Sequence, residues 1–330
     1  MNKNEKIFSV APMMDWTDRH CRFFHRILTK RALLYSEMIV ADAIIHGDRD
    51  YLLRGSGDVS NVALQLGGSD PGKLATAAAI GVEYGYDEIN LNVGCPSDRV
   101  KSGTFGACLM REPELVGDCV RAMKAVVGVP VSVKCRIGVD DQDPGPVLDQ
   151  LSREVWNAGC DKLWVHARKA WLEGLSPKQN RDIPPLDYQR VYRLKSDFPS
   201  RFVGINGGIA ELEQCQHHLG IVDGVMIGRS AYQRPAMLRH VDQLVFGSDL
   251  TVISYEKICR VMCEYAELHL SDGGRLHQIT RHMTGLFHGL SGARKYRQIL
   301  AIEATRPGAG PDVLERAFDA VACQLIENAA

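Results

Sequence analysis

The sequence predicts an α/β fold, a (β/α)8 TIM barrel followed by a small all-α helical-bundle domain. Three observations predict it. Short apolar, β-rich runs alternate with helix-like segments, the pattern of parallel strands joined by crossover helices. Eight such runs with their helices occupy about 230 residues, close to the ~250 typical of this barrel. After about Phe246 the pattern changes to apolar residues at helical spacing alone. The expected domains are therefore 1–245 and 246–330, with a doubly wound sheet as the runner-up for the first.

The strand-like runs are Phe8 to Met13, Leu33 to Met38, Val62 to Leu66, Glu88 to Asn92, Val131 to Cys135, Leu163 to His166, Phe202 to Asn206 and Gly224 to Ile227. Helices are expected over Pro71 to Gly85, where proline near the start suits a first turn, and over Glu114 to Val126, Val147 to Asn157, Tyr188 to Lys195 and Leu212 to Leu219. In the tail, Ile258, Val261, Met262, Tyr265 and Leu268 recur at helical spacing, as do Leu314, Phe318, Val321 and Leu325 behind Pro311.

Composition excludes several classes. With 45% hydrophobic and 24% charged residues in 330, the chain is neither disordered nor fibrous. No run approaches a membrane span and the polar first residues lack a signal core, so a cytoplasmic protein is expected. Ten scattered cysteines without zinc-type pairs point to reduced thiols and no structural metal. A net charge of −1 argues against indiscriminate nucleic-acid binding, yet Arg275 to Arg297 holds five Lys/Arg and no acidic residue, which favours a phosphate-facing patch.

The most informative stretch is Asn92-Val93-Gly94-Cys95-Pro96-Ser97, which sets one thiol in a glycine- and proline-bent turn directly after a strand. Barrel enzymes place chemistry at the C-terminal ends of strands. Those ends here carry Pro12-Met13-Met14, Glu37, Gln65, Asn92 with Cys95, Lys134 with Arg136, His166 with Arg168, Asn206-Gly207-Gly208 and Gly228-Arg229. The last two groups offer backbone amides and a guanidinium where such barrels often bind phosphate. If that phosphate belongs to flavin mononucleotide (FMN), Gln65 can reach the pyrimidine edge of the ring, and Lys134 can offset the negative charge of its reduced form. For His166 a satisfied core histidine competes with a site role.

Several segments resemble the tRNA-dihydrouridine synthase family, specifically its A-type branch. They are Ser9 to Arg22 (SVAPMMDWTDRHCR), Leu64 to Gly68 (LQLGG), Asn90 to Val100 (NLNVGCPSDRV), Phe105 to Met110 (FGACLM), His166 to Leu172, Asn180 to Leu186, and Gly285 to Arg297 (GLFHGLSGARKYR). The departures are modest: Met14 stands where Leu is expected, Cys135 where Thr is common, and Ser291 and Tyr296 where Pro and Trp are frequent.

The resemblance implies an FMN enzyme in which NADPH reduces the flavin, which then passes hydride to C6 of a uridine in the tRNA D-loop, at positions 20 and 20a. Cys95 matches the acid that protonates C5. FMN would be held by Pro12, Met13, Met14, Gln65, Lys134, His166, Asn206, Gly207, Gly208, Gly228 and Arg229. Asn92 and Arg181 would read the uracil edge, and Lys178, Arg294 and Arg297 would hold the tRNA. Two rivals stand beside this reading: a small-molecule flavin reductase of the dihydroorotate dehydrogenase kind, which normally lacks a basic helical tail, and a tRNA-binding protein without chemistry.

Overall fold

The computed structural model describes residues 6–55, 60–97 and 105–327. The strands are β1 (Ile7–Val10), β2 (Leu33–Val40), β3 (Val62–Gly67), β4 (Glu88–Val93), β5 (Val131–Arg136), β6 (Lys162–His166), β7 (Val203–Asn206) and β8 (Gly224–Ile227). They close in sequence order into a parallel barrel, with Ile7 of β1 opposite Gly224 of β8. Closure excludes the doubly wound sheet.

Strand limits shift from the apolar runs for local reasons. The first run stops early. Ala11 N–H still donates to Ile227 O at 2.8 Å, but Pro12 has no N–H with which to continue the ladder. The second extends to Val40, with a register irregularity between Tyr35 and Met38. Helices Pro71–Glu83, Pro113–Val126 and Pro144–Asn157 all begin on proline, and Asp70 and Asp143 cap the first and third by accepting from Lys73 N and Gly145 N. Asp187 caps Tyr188–Asp197 in the same way through Arg190 N.

Side chains of a strand alternate between its two faces, so one residue known to point inward fixes its strand. Trp164 of β6 is fully buried and packs with Tyr35, Ala63 and Met226, which come from β2, β3 and β8. These meet only inside the barrel. The indole fits because β7 carries Gly204, where a Cβ would lie 2.2 Å from the ring. Lys162 and His166 share the parity of Trp164 and therefore face inward too. Tyr35 OH donates to Glu88 at 2.9 Å, which brings Glu88, Asn90 and Asn92 of β4 to the interior.

The chain divides into two compact units. One takes in Met1–Asp15, Leu33–Ile209 and Glu213–Gly228; the other takes in Trp16–Ala32, Ala210–Leu212 and Arg229–Ala330. Helix Arg19–Leu28 and residues 229–245, which a boundary after residue 245 assigns to the barrel, thus group with the tail helices. No described helix is long and apolar enough to cross a membrane, and no group of three His, Cys, Asp or Glu among the described residues could hold a metal ion.

Within the second unit, Asp18 caps Arg19–Leu28 by accepting from Cys21 N and also accepts from Arg281 Nη2 at 2.6 Å and His282 Nε2 at 3.0 Å. Burial raises its carboxyl, but the hydrogen bond and charge of His282 and the other donors outweigh that and hold it well below the usual range. The aromatic core joins Tyr255, Phe287, Tyr296 and Phe318, with ring centroids 4.7 to 5.6 Å apart. Burial brings His20 and His25 down from 6.5 to about 3.

A histidine depressed in the fold binds its proton more readily when unfolded, so these two contribute stability that is present above about 6.5 and is lost as pH falls towards 3. Each adds a slope of up to about 1.4 kcal/mol per pH unit within that window. Asp18, held below the usual carboxylate range, works in the same direction further down. Urea melts at pH 7.5 and 5.5 should therefore give a clearly lower midpoint at 5.5, and His25→Phe should flatten the difference. Equal wild-type midpoints would contradict the burial assigned to these rings.

Candidate active site

Cys95 sits in the loop after β4, half-buried, and its thiol is within 3.4 Å of Ser97 Oγ as a donor. Its backbone is pinned: Cys95 N–H and Gly94 N–H donate to Asn92 Oδ1 at 2.9 and 3.1 Å, and Cys95 O accepts from Ala107 N at 2.9 Å. Asp98, Arg99 and Val100 of the same motif lie outside the described residues.

Gln65 and Asn92, both buried, are more committed than their sequence suggests. Asn92 Nδ2 donates to Gln65 Oε1 and Gln65 Nε2 donates to Asn90 Oδ1, each at 2.8 Å. Each amide retains one N–H for a further acceptor.

Lys134 of β5 and His166 of β6 stand at the barrel mouth. Lys134 is partly exposed, yet desolvation, with Arg136 alongside, brings its ammonium down to about 8. Burial holds His166 well below 6.5, and the charges acting on it most strongly, Arg136, Lys134, Arg168 and Arg181, are all cationic and push the same way. The imidazole is neutral at pH 7. Arg136 feels Arg181, Arg168 and the Cys95 thiol, and burial brings it down to about 10. The structure thus gathers Cys95, Lys134, Arg136, His166, Arg168 and Arg181 around one opening. Such a donor set, short of negative charge, fits an anionic group such as a phosphate or a reduced flavin.

The glycines after β7 have distinct reasons. Gly207 has φ 114°, and a Cβ there would lie 2.5 Å from the His166 ring; its carbonyl accepts from Tyr188 OH at 2.7 Å. Gly208 has φ 70° and is exposed. Asn206 is buried and donates to Met226 O at 2.8 Å, so its amide ties β7 to β8. At Gly228 a Cβ would make only ordinary contact with Met13 and Ala11, so glycine is not sterically required. Pro12, Met13 and Met14 follow β1, with Met14 46% exposed. Asp15 after them takes a left-handed φ of 63° and donates its N–H to Glu37.

Lys178 and Arg181 are exposed on the loop between β6 and helix Tyr188–Asp197. That loop is held from inside by Asn180, fully buried, which accepts from Trp171 N at 2.7 Å and donates to Trp171 O at 2.9 Å. Arg136 joins the loop to the Cys95 turn, donating to Gly94 O at 3.1 Å, Lys169 O at 3.0 Å and Asn180 O at 2.8 Å. Neither positioning role was assigned from sequence. A guanidinium at a strand end reads as a ligand contact until its carbonyl partners are seen.

Arg229 opens the helix Arg229–Gln233 of the second unit. Arg294 and Arg297 are exposed on helix Ala293–Ile302 of that unit and together line a cavity of about 630 Å³ with Tyr232, Thr284, His288 and Leu290.

The depressed ammonium is directly testable. Amine acetylation of Lys134, followed by peptide mass spectrometry across pH, should show a midpoint near 8. A Lys134 midpoint near 10 would remove the enclosed cation cluster.

Comparison with known proteins adds to the geometry. The barrel resembles morphinone reductase (TM-score 0.51, 12% identity, covering 77% of this chain and 88% of that one). It also resembles the old yellow enzyme homologue from Zymomonas mobilis (TM-score 0.53, 12% identity, covering 77% and 92%). At such identity the likeness concerns the fold alone. Among curated proteins, the tRNA-dihydrouridine(20/20a) synthase of Shewanella oneidensis is 55% identical over 322 residues, 98% of this chain and 96% of the relative. The protein of the same name from Vibrio vulnificus is 54% identical over 318 residues, covering 96% and 97%, and that of Salmonella typhi 55% over 316, covering 96% and 95%. Residues 9–322 match the family described as dihydrouridine synthase, and the chain, a TIM-barrel oxidoreductase with helices at its C-terminal end, belongs to it.

Proposed function

We propose that this protein reduces uridine to 5,6-dihydrouridine at positions 20 and 20a of the tRNA D-loop in the cytoplasm, using FMN and NADPH. The observation that carries the proposal is the Cys95 turn set beside the cation cluster of Lys134, Arg136, Arg168 and Arg181, in a chain that shares more than half its residues with synthases named for those positions. The barrel unit serves as the FMN-binding catalytic domain, and the helical unit, which takes in Arg19–Leu28 and residues 229–245 besides the tail, as the tRNA-binding domain.

When bound and reduced by NADPH, FMN would supply the hydride for C6 of the uracil. Cys95 Sγ–H gives the proton to C5, the C5–C6 double bond becomes single, and the thiolate takes a proton back from solvent. Lys134, titrating near 8, sets a positive charge where negative charge gathers on the pyrimidine edge of the cofactor. Gln65 and His166 would hold the same ring, and Gln65 would contribute its remaining N–H. Asn206, Gly207, Gly208 and Gly228 would hold the phosphate and Pro12, Met13 and Met14 the ring, and Arg229 is the phosphate partner expected from the sequence. A uracil stacked within RNA cannot reach this mouth, so the base is splayed out. Asn92, with its spare amide hydrogen, and Arg181 then read the uracil edge. Lys178, Arg294 and Arg297 hold the backbone.

The reading is tested by separating the half-reactions. The purified protein should carry flavin absorbance, bleach with NADPH, and recover colour with tRNA but not with a small free pyrimidine such as orotate. Absence of flavin would favour an RNA-binding protein without chemistry. Cys95→Ala should keep FMN and its reduction by NADPH but slow the tRNA step by about 10²–10⁴-fold, the usual loss of a positioned acid. A wild-type rate with tRNA would remove Cys95 from the mechanism.

Replacing Arg294 and Arg297 together by Ala should weaken tRNA binding and flatten its dependence on salt by about 0.7–0.9 per lost phosphate contact. FMN content should stay normal. An unchanged slope, measured over several salt concentrations, would place the RNA grip elsewhere, on the loop of Lys178 and Arg181.

A further inference from the structure

We propose that Glu88, deep in the barrel, is a positioning residue for Cys95, acting through a directed chain of hydrogen bonds along the barrel interior. The proposal rests on the reading of Cys95 as the proton donor. Lys162 Nζ donates to Glu88 Oε2 at 2.5 Å, and Ser132 Oγ donates to Glu88 Oε1 at 2.5 Å. Ser132 Oγ in turn accepts from Asn90 Nδ2 at 2.8 Å. Asn90 Oδ1 accepts from Gln65 Nε2, and Gln65 Oε1 accepts from Asn92 Nδ2, each at 2.8 Å. Asn92 Oδ1 accepts from the peptide N–H groups of Gly94 and Cys95. Every side chain of the series is buried.

The direction of this chain is set at both ends. A carboxylate only accepts and a peptide N–H only donates, so every amide and hydroxyl between them must donate towards Glu88 and accept from the Cys95 side. Glu88 therefore decides which way the Asn92 amide points. With a glutamine at 88, the amide oxygen would be drawn to the Lys162 ammonium, and the NH2 would face two donors, Tyr35 and Ser132. Turning Ser132 to relieve that contact would reverse Asn90, Gln65 and Asn92 in turn, until the Asn92 NH2 opposed the two peptide N–H groups of the turn. Somewhere the chain would have to break in a dry interior.

Packing alone does not account for these residues. Barrel interiors are usually filled by Val, Ile and Leu, and a buried ion pair is weak evidence for stability. Nor is the series a proton route, since it ends on the Cys95 backbone while the thiol faces Ser97. What it can do is hold the turn in one orientation.

The test compares Glu88→Gln and Ser132→Ala with wild type as full-length, FMN-loaded protein; Ser132→Ala, which breaks the series beside Glu88 and leaves the Lys162 ion pair intact, decides the proposal should Glu88→Gln fail to fold. Reduction by NADPH should stay within about twofold of wild type, while the tRNA step at saturating tRNA falls about 10–100-fold, the scale of a small misplacement of reacting groups. Alkylation of Cys95, read by peptide mass spectrometry, should speed up about fivefold as the turn loosens, while buried Cys135 and Cys160 stay protected. Unchanged Cys95 alkylation and an unchanged tRNA step would overturn the proposal. So would alkylation of Cys135 and Cys160 together with Cys95, since that marks a generally loosened barrel. If wild type itself does not act on tRNA, the functional reading falls, and Cys95 alkylation still decides the positioning claim.

Discussion

Closure of a parallel barrel leaves each strand residue only two destinations, the interior or the surrounding helices, and the active-site geometry depends on that alternation. Once Trp164 points inward over Gly204, Lys162 and His166 on the same strand must do likewise. Once Tyr35 reaches Glu88, Asn90 and Asn92 follow. The mouth residues are thus continuations of inward stripes that begin lower in the barrel. The wall between β3 and β6 is polar where such walls are usually aliphatic, and the buried pair of Lys162 and Glu88 lies within it. Removing one partner of such a pair leaves an uncompensated charge, which typically destabilises by about 3–5 kcal/mol.

Positive charge at the mouth is used in two ways. Arg136 donates to the carbonyls of Gly94, Lys169 and Asn180, so it works as a strut between two loops. Lys134, whose ammonium is depressed to about 8, holds a charge that is expensive to keep and rewards any anion brought beside it. His166 pays neither cost, because its cationic neighbours and its burial keep it neutral and leave one ring nitrogen able to donate and the other to accept.

The second unit rests on a different interaction. Asp18 is at once the cap of Arg19–Leu28 and the acceptor for Arg281 and His282, so a residue near the start of the chain organises a turn some 260 residues later. Asp242 does the same for the end of that helix, accepting from Thr29 Oγ1 and the N–H groups of Lys30 and Arg31. Acid weakens this unit because it protonates Asp18 and the buried His20 and His25.

By itself the sequence determined the architecture and singled out the turn at Cys95. Alternating runs and turn residues are local signals, so eight strands, the proline-led helices and the bent turn at Cys95 were legible within a few residues of each. The family motifs around Cys95 and His166 were legible for the same reason. Tertiary structure alone decided which polar groups are spent on the protein. Gln65 and Asn92 read as ligand contacts, and only the neighbouring strands reveal that each amide is already half engaged. Arg136 and Asn180 carry no local mark of the carbonyls they hold, because those lie on other loops. Helix Arg19–Leu28 follows β1 in the chain yet groups with the tail helices. Hydrogen-bond partners and compact units are set by which segments the closed barrel brings together, and sequence distance carries no record of that.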